Sequence, residues 1–194
     1  MSEQYAGIKF KTIFNKTQTP VDTRIKELKK WCEIFHEKNL APPYPGGSYG
    51  NLSFRTENNK NEFIITGTCI GFKNNLSDDC FVKIISCDII NNVIYAEGTR
   101  NPSSESMLHY AIYKNRKDVN AIFHGHSKEV LASATKLNIP ETLKEKPYGS
   151  IELVNSVIEI LNNHHLICMK NHGFISLGET MEEAGKRSIK IISC

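Results

Sequence analysis

The sequence predicts a layered α/β domain built on a mainly antiparallel sheet, and three observations carry this prediction. In the first half, short runs rich in β-branched and aromatic residues are separated by polar turns, which is typical of hairpins. In the second half, longer segments with apolar residues at helical spacing alternate with strands. At 194 residues, the chain is also long enough to bury the core of one domain without disulfides.

The first half combines one helix with two strand pairs. Residues 1–20 are predicted to be an N-terminal extension, either an edge strand or a surface tail, and residues 21–194 to be the domain. Apolar residues recur at helical spacing over residues 22–38, which predicts an amphipathic helix there. The two predicted strand pairs are 51–55 with 62–66 and 81–85 with 92–95.

Helices and strands alternate in the second half. A helix is predicted from Ser103, its N-cap, to about Arg116. The elements predicted after it are a strand at 120–126, a helix at 127–136, a loop at 138–148, a helix at 149–161, strands at 165–170 and 173–177, and a helix from residue 179. Together these elements predict a sheet covered by helices.

Composition excludes several classes of protein. Apolar residues make up 40% of the chain and charged residues 23%, as in ordinary soluble domains. The formal net charge of +3 is too small to indicate a nucleic-acid partner. No apolar stretch is long enough to cross a membrane, and the N-terminus lacks the pattern of a signal peptide. We therefore expect a cytoplasmic protein that binds neither nucleic acid nor membranes.

The cysteines show no spacing typical of a disulfide framework or of a CxxC motif. Several lie in apolar runs, as Cys168 does, which indicates reduced and buried thiols. The six cysteines are Cys32, Cys69, Cys80, Cys87, Cys168 and Cys194.

Two histidine-bearing segments suggest a metal site. In the first, an apolar run leads into His124 and His126, which flank a glycine. Side chains alternate along a strand, so both imidazoles would project from one face. In the second, another apolar run ends at His172, again followed by glycine. Each motif alone is more often a packed or surface histidine. Together they favour a divalent metal, with zinc as first choice and manganese, cobalt or iron as alternatives.

Three polar loops are candidates to surround this metal. A glycine-rich segment ends at Asn51, which offers an amide donor, and a second loop carries Thr68. Ser103 and Ser104 open a helix, whose free N–H groups suit a phosphate. Glu105 follows them and could act as acid and base if the fold places it beside the metal. A plain turn, a loop and a capped helix are the ordinary alternatives.

The remaining histidines carry weaker signals. His109 lies one turn beyond Glu105 on the same helix face, so it either packs in the core or supports the site. His36, His164 and His165 fall at helix ends or in a turn, and we expect no role for them.

Five motifs in order make the chain resemble the class II aldolase/adducin family over about residues 21–193. The motifs are Gly-Asn-Leu-Ser-Phe-Arg at 50–55, Ile-Thr-Gly-Thr at 65–68, Pro-Ser-Ser-Glu at 102–105, His-Gly-His at 124–126 and Lys-Asn-His-Gly at 170–173. The resemblance implies a single-domain α/β/α sandwich around a mainly antiparallel sheet. It also implies a homotetramer with sites near the subunit interfaces.

The resemblance also implies roles for individual residues. By position, His124, His126 and His172 match zinc ligands, and Glu105 matches the catalytic acid and base. The residues that match substrate phosphate ligands are Asn51, Thr68, Ser103 and Ser104. In the epimerase branch of the family an aspartate stands at the position of Glu105, so the glutamate favours aldolase or dehydratase chemistry.

These features predict a zinc-dependent, aldolase-type lyase. Its substrate would be a small phosphorylated sugar, split into ketose phosphate and aldehyde through a metal-stabilised enediolate. The alternatives are a sugar-phosphate dehydratase or epimerase of the same fold, and a non-catalytic adducin-like scaffold. Two departures from the aldolases affect the substrate. Cys69 replaces a usual glycine, and the segment between Leu137 and Tyr148 is shorter and lacks a loop tyrosine.

Overall fold

The computed structural model describes residues 7–192, so residues 1–6 of the predicted extension and Cys194 lie outside the described part. The strands are β1 (Lys11–Lys16), β2 (Pro43–Tyr44), β3 (Gly47–Ser48), β4 (Asn51–Arg55), β5 (Phe63–Thr66), β6 (Phe81–Asp88), β7 (Val93–Glu97), β8 (Ala121–Gly125), β9 (Leu166–Met169) and β10 (Gly173–Gly178). The α-helices are α1 (Ile25–Glu37), α2 (Ser106–Asn115), α3 (Lys128–Ser133), α4 (Ile151–Leu161) and α5 (Met181–Ile191).

Eight strands form one sheet in the order β1-β7-β6-β5-β4-β8-β10-β9, and β2 and β3 form a separate ribbon. The large sheet is antiparallel except at one edge, where β1 pairs with β7 in parallel. Of the two alternatives for the N-terminal extension, the structure therefore shows the edge strand. The division of the chain at residue 20 stays a prediction.

Alternating side chains divide the core between two helical layers. On one face, α1, α3 and α5 cover the sheet, and Phe35 packs edge-on against Phe123 with ring centroids 5.6 Å apart. On the other face, α2 and α4 pack over residues such as Leu108. Neighbours on one strand serve opposite layers, as Phe174 and Ile175 do on β10. The predicted α/β/α sandwich is confirmed.

The predicted start of α2 is wrong. The helix begins at Ser106, and no side chain caps it. Ser103 is held at the end of β5 instead, because its N–H donates to the Thr66 carbonyl at 3.2 Å. The segment from Ser103 to Glu105 therefore forms a turn before the helix. This turn carries three of the predicted site residues.

The described cysteines are all free thiols, as predicted. Cys32, Cys80 and Cys168 are buried and Cys87 is half-buried, but Cys69 is exposed, contrary to the prediction of buried thiols. Within residues 7–192, none of the helices has the length and apolar character needed to span a membrane.

Candidate metal centre and its pocket

Three imidazoles meet where β8 and β10 run side by side. His124 lies on β8, His126 follows that strand, and His172 precedes β10. The two strands pair antiparallel, with Phe174 opposite Gly125, so the turn before β10 meets the end of β8. The ligand nitrogens all lie within 4.8 Å of one another. The structure thus brings together the two histidine segments, which are far apart in the sequence.

A backbone hydrogen bond determines which nitrogen of His124 faces this cluster. Its Nδ1–H donates to the Phe174 carbonyl at 2.9 Å, which leaves a lone pair on Nε2. Burial lowers the pKa of His124 and holds that of His126 well below its usual value, which favours the neutral imidazoles that ligate metals. The two Nε2 atoms are 2.9 Å apart and need a proton or a cation between them. This donor set fits a divalent transition metal.

Glu105 faces the imidazoles from the turn before α2. Its Oε1 lies 2.7 Å from His172 Nε2, and its Oε2 lies 3.1 Å from His124 Nε2. Burial raises the pKa of the carboxyl group. Positive charge at His124 and His172, with hydrogen bonds from His172 and Asn51, outweighs burial and holds the pKa well below its usual value. Glu105 is therefore an ionised carboxylate that can accept a proton.

Asn51 connects the sheet to this carboxylate. It is the cross-strand partner of His124, so its amide and the imidazole project from the same face of the sheet. Its Nδ2 donates to Glu105 Oε2 at 3.0 Å. Its Oδ1 is buried and finds no hydrogen-bond partner among the described residues. That oxygen can accept a hydrogen bond from a ligand.

A polar ladder, formed by Asn51, Ser53, Glu105, His109 and Tyr113, joins β4 to α2. Ser53 lies two residues after Asn51 on β4. Its Oγ is 2.8 Å from His109 Nδ1 and 2.8 Å from the Tyr113 hydroxyl. Asn51 and Ser53 are two residues apart on a strand, a distance of about 6.7 Å, and Glu105 and His109 are four residues apart along a helix, a distance of about 6 Å. The two pairs can therefore face each other. The ladder fixes the position of Glu105 along the strand. Of the two alternatives for His109, this contact favours support of the site.

Stability should depend on pH through His109. Burial lowers the pKa of His109 to about 3, against an ordinary value of 6.5. Between these two values the unfolded chain binds a proton that the folded chain does not, so stability falls as the pH falls through this window. Relative to His109→Gln, we expect the wild type to lose about 2 kcal/mol more between pH 7 and pH 5. Urea unfolding at both pH values measures this difference, and parallel pH dependences would contradict it.

The eight predicted site residues line a single pocket. The three polar loops converge on this pocket, as expected. The first follows β3, the second follows β5, and the third is the turn before α2. The eight residues are Asn51, Thr68, Ser103, Ser104, Glu105, His124, His126 and His172.

Eleven further described residues line the pocket. Among them are Tyr44, Tyr49, Lys146 and Tyr148, which were not predicted as site residues. The Tyr49 ring lies 4.9 Å from that of His126 and 4.9 Å from that of Tyr44, measured between centroids. Lys146 and Tyr148 belong to a loop without periodicity, so no sequence signal marks them. Tyr49 lies two residues before Asn51 in the glycine-rich segment, and this position could have marked it as a site residue.

Close packing explains the glycine that follows His124 and the glycine that follows His172. A Cβ at Gly173 would lie 2.5 Å from the Gly125 carbonyl oxygen and 2.7 Å from His124 Cε1. A Cβ at Gly125 would lie 2.7 Å from the Phe174 ring. Any larger residue would displace the strands that hold the imidazoles.

Cys69 occupies a backbone conformation that favours glycine. Its φ is +54°, in the left-handed region, and its side chain lies at the wall of the pocket. The thiol is exposed. That similar aldolases carry a glycine at this position stays a prediction.

Comparison with known proteins gives a consistent result. The family model for the Class II Aldolase and Adducin N-terminal domain matches residues 26–193. The L-fuculose phosphate aldolase of Methanococcus vannielii is 32% identical over 174 residues, which cover 82% of this chain and 87% of that protein. The methylthioribulose-1-phosphate dehydratase of Leptospira biflexa is 24% identical over 134 residues, covering 69% of this chain and 61% of that protein. A solved L-fuculose 1-phosphate aldolase shares the fold, with a TM-score of 0.72 and 22% identity over 90% of this chain and 84% of its own.

Proposed function

Because the chain belongs to the class II aldolase and adducin family, we propose that it is a metal-dependent aldolase-type lyase acting on a small phosphorylated sugar. One observation carries the proposal. Three imidazole nitrogens and a buried, ionised carboxylate face one another inside one pocket. A non-catalytic scaffold has no need to gather four such groups where burial makes each of them costly.

His124, His126 and His172 would hold the metal, with zinc as first choice for imidazole ligands. When bound, the ion supplies a Lewis acid that draws electron density from a substrate carbonyl and stabilises an enediolate. The Phe174 carbonyl keeps the His124 ring in the required tautomer and orientation. Gly125 and Gly173 allow the two strands to approach closely enough for the imidazoles to meet.

Glu105 would move the proton in this reaction. In the cleavage direction, its carboxylate accepts the hydroxyl proton as the aldehyde carbonyl forms and the carbon–carbon bond breaks. The electron pair of that bond stays on the ketose phosphate fragment, and Glu105 returns the proton to its carbon. The hydrogen bond from Asn51 and the polar ladder hold the carboxylate in place for both transfers.

The phosphate end of the substrate would lie against the polar loops. Thr68, Ser103 and Ser104 line the pocket together with Glu105, within one wall. Their hydroxyl groups can donate hydrogen bonds to the phosphate oxygens. Asn51 would contribute by exchanging the hydrogen bond that its Nδ2 donates to Glu105 for one to the phosphate. Binding energy gained at the phosphate helps to hold the reacting carbons in place.

A dehydratase of the same fold is the second candidate, and the similarity to the Leptospira biflexa dehydratase favours it over an epimerase. Both reactions need the same metal and the same proton transfer. They differ in products, because a dehydratase keeps all carbons in one molecule and releases water. We also propose, from the resemblance, that the protein is a cytoplasmic homotetramer. Light scattering measures the mass of the assembly and so tests the tetramer.

The decisive experiment is a panel of ketose phosphates assayed after loading with zinc, manganese or cobalt. We expect metal-dependent release of an aldehyde and dihydroxyacetone phosphate from at least one sugar. Products that retain every carbon would replace the aldolase by a dehydratase or an epimerase. Metal bound without any turnover across the panel would favour the scaffold.

A further inference from the structure

Among the described residues that line the pocket, Lys146 is the only lysine or arginine. The polar groups proposed for the phosphate, on Thr68, Ser103 and Ser104, are all neutral hydroxyls. A phosphate monoester carries a charge between about −1.5 and −2 at neutral pH. Neutral donors alone leave this charge uncompensated. A cation on the pocket wall is the missing complement.

The backbone next to Lys146 runs along the wall proposed for the phosphate. Three residues further on, Gly149 adopts φ +63° and touches Ser104, since a Cβ there would lie 2.9 Å from the Ser104 carbonyl oxygen. Tyr148, between them, is 8% exposed and also lines the pocket. The loop that carries Lys146 therefore contacts the segment that carries Ser104, and Lys146 lines the same pocket.

Hydrogen bonds fix the loop that carries Lys146 to the turn before β10. Lys170 Nζ pairs with Glu141 Oε2 at 2.7 Å, and the Lys170 N–H donates to Thr142 Oγ1 at 2.9 Å. Asn171 Nδ2 donates to Glu145 Oε2 at 2.8 Å. Glu141 and Glu145, the acidic residues of this loop, are therefore bonded to residues other than Lys146. No described residue forms a hydrogen bond or an ion pair with the Lys146 ammonium, so it can bind a ligand.

We propose that Lys146 binds the phosphate of the substrate and selects phosphorylated over unphosphorylated sugars. This inference rests on the proposed function, whose pocket and substrate class it refines. The ammonium supplies a charge-assisted hydrogen bond, which is stronger than one from a neutral hydroxyl. Loss of such a bond in a half-buried site lowers affinity by roughly ten- to a hundredfold. The loop would contribute this cation next to Tyr148, which also lines the pocket.

Inorganic phosphate is a direct probe, titrated calorimetrically into the zinc-loaded protein at low ionic strength. We expect Lys146→Met to weaken phosphate binding at least tenfold and Lys146→Arg to restore most of it. Lys144→Met is the matched control, because Lys144 is an exposed lysine of the same loop that does not line the pocket. Equal binding by wild type and Lys146→Met, an equal loss in Lys144→Met, or a wild type that binds no phosphate would each overturn the proposal.

A pair of hydroxamates separates a lost charge from a distorted pocket. Phosphoglycolohydroxamate and glycolohydroxamate differ only in the phosphate. Lys146→Met should lose affinity for the first and keep that for the second, whereas an equal loss for both would indicate distortion and contradict the assignment. Failure of the proposed function is a different result, since it appears as absence of turnover while phosphate binding still depends on Lys146.

Discussion

Replacing His126 with alanine is expected to remove the bound metal and to lower the lyase rate by about 10³-fold or more. The effect is large because the imidazole is one of three ligands and its loss removes the Lewis acid. The fold should survive, since His126 is half-buried and lies beyond the end of β8. Elemental analysis, activity with added zinc and thermal unfolding measure the three quantities.

His126 is a better choice than His124 for this test. Removing the His124 ring would leave the buried Phe174 carbonyl without its donor, at a cost of about 1–3 kcal/mol. Retention of stoichiometric metal by His126→Ala would refute the three-histidine site. Loss of metal with full retention of a partner-binding activity would support the scaffold.

Replacing Glu105 with glutamine should lower kcat between about 10²- and 10⁴-fold while the metal stays bound. Glutamine keeps the length of the side chain and an oxygen that can accept the hydrogen bond from Asn51. It cannot accept a proton, so only the transfer step is removed. Steady-state kinetics and elemental analysis on the same preparation separate the two effects.

Glu145→Gln is the matched control for this variant. Glu145 also lines the pocket but is bonded to Asn171 at its rim, so its neutralisation should change kcat only a few-fold. Equal losses in the two variants would mean that pocket charge, and not proton transfer by Glu105, sets the rate.

The sequence was informative where side-chain pattern decides structure. Alternation along an apolar run placed His124 and His126 on one face, and ordered motifs pointed to His172 as their partner. The approach of His172 itself depends on the pairing of β10 with β8, which no local pattern reveals. Likewise, Asn51 meets Glu105 because β4 pairs with β8 in the register that sets Asn51 beside His124.

The differences from prediction have the same cause. Ser103 looked like a helix cap, but the helix begins at Ser106, after a turn that the bond from the Ser103 N–H to the Thr66 carbonyl ties to β5. Parallel pairing of β1 with β7 joins residues that are about eighty positions apart in the chain. Lys146 reaches the pocket through contacts of its loop with Lys170 and Asn171, which composition cannot show.

Because β8 and β10 are hydrogen-bonded neighbours with packed side chains on both faces, the sheet itself determines where the imidazoles lie. A metal site held by the sheet in this way is preorganised. Binding the ion therefore requires little rearrangement, and removing it leaves the domain folded. Dialysis against a chelator and then against cobalt would therefore exchange the native ion without a refolding step. The visible spectrum of the cobalt form would then report ligand geometry directly.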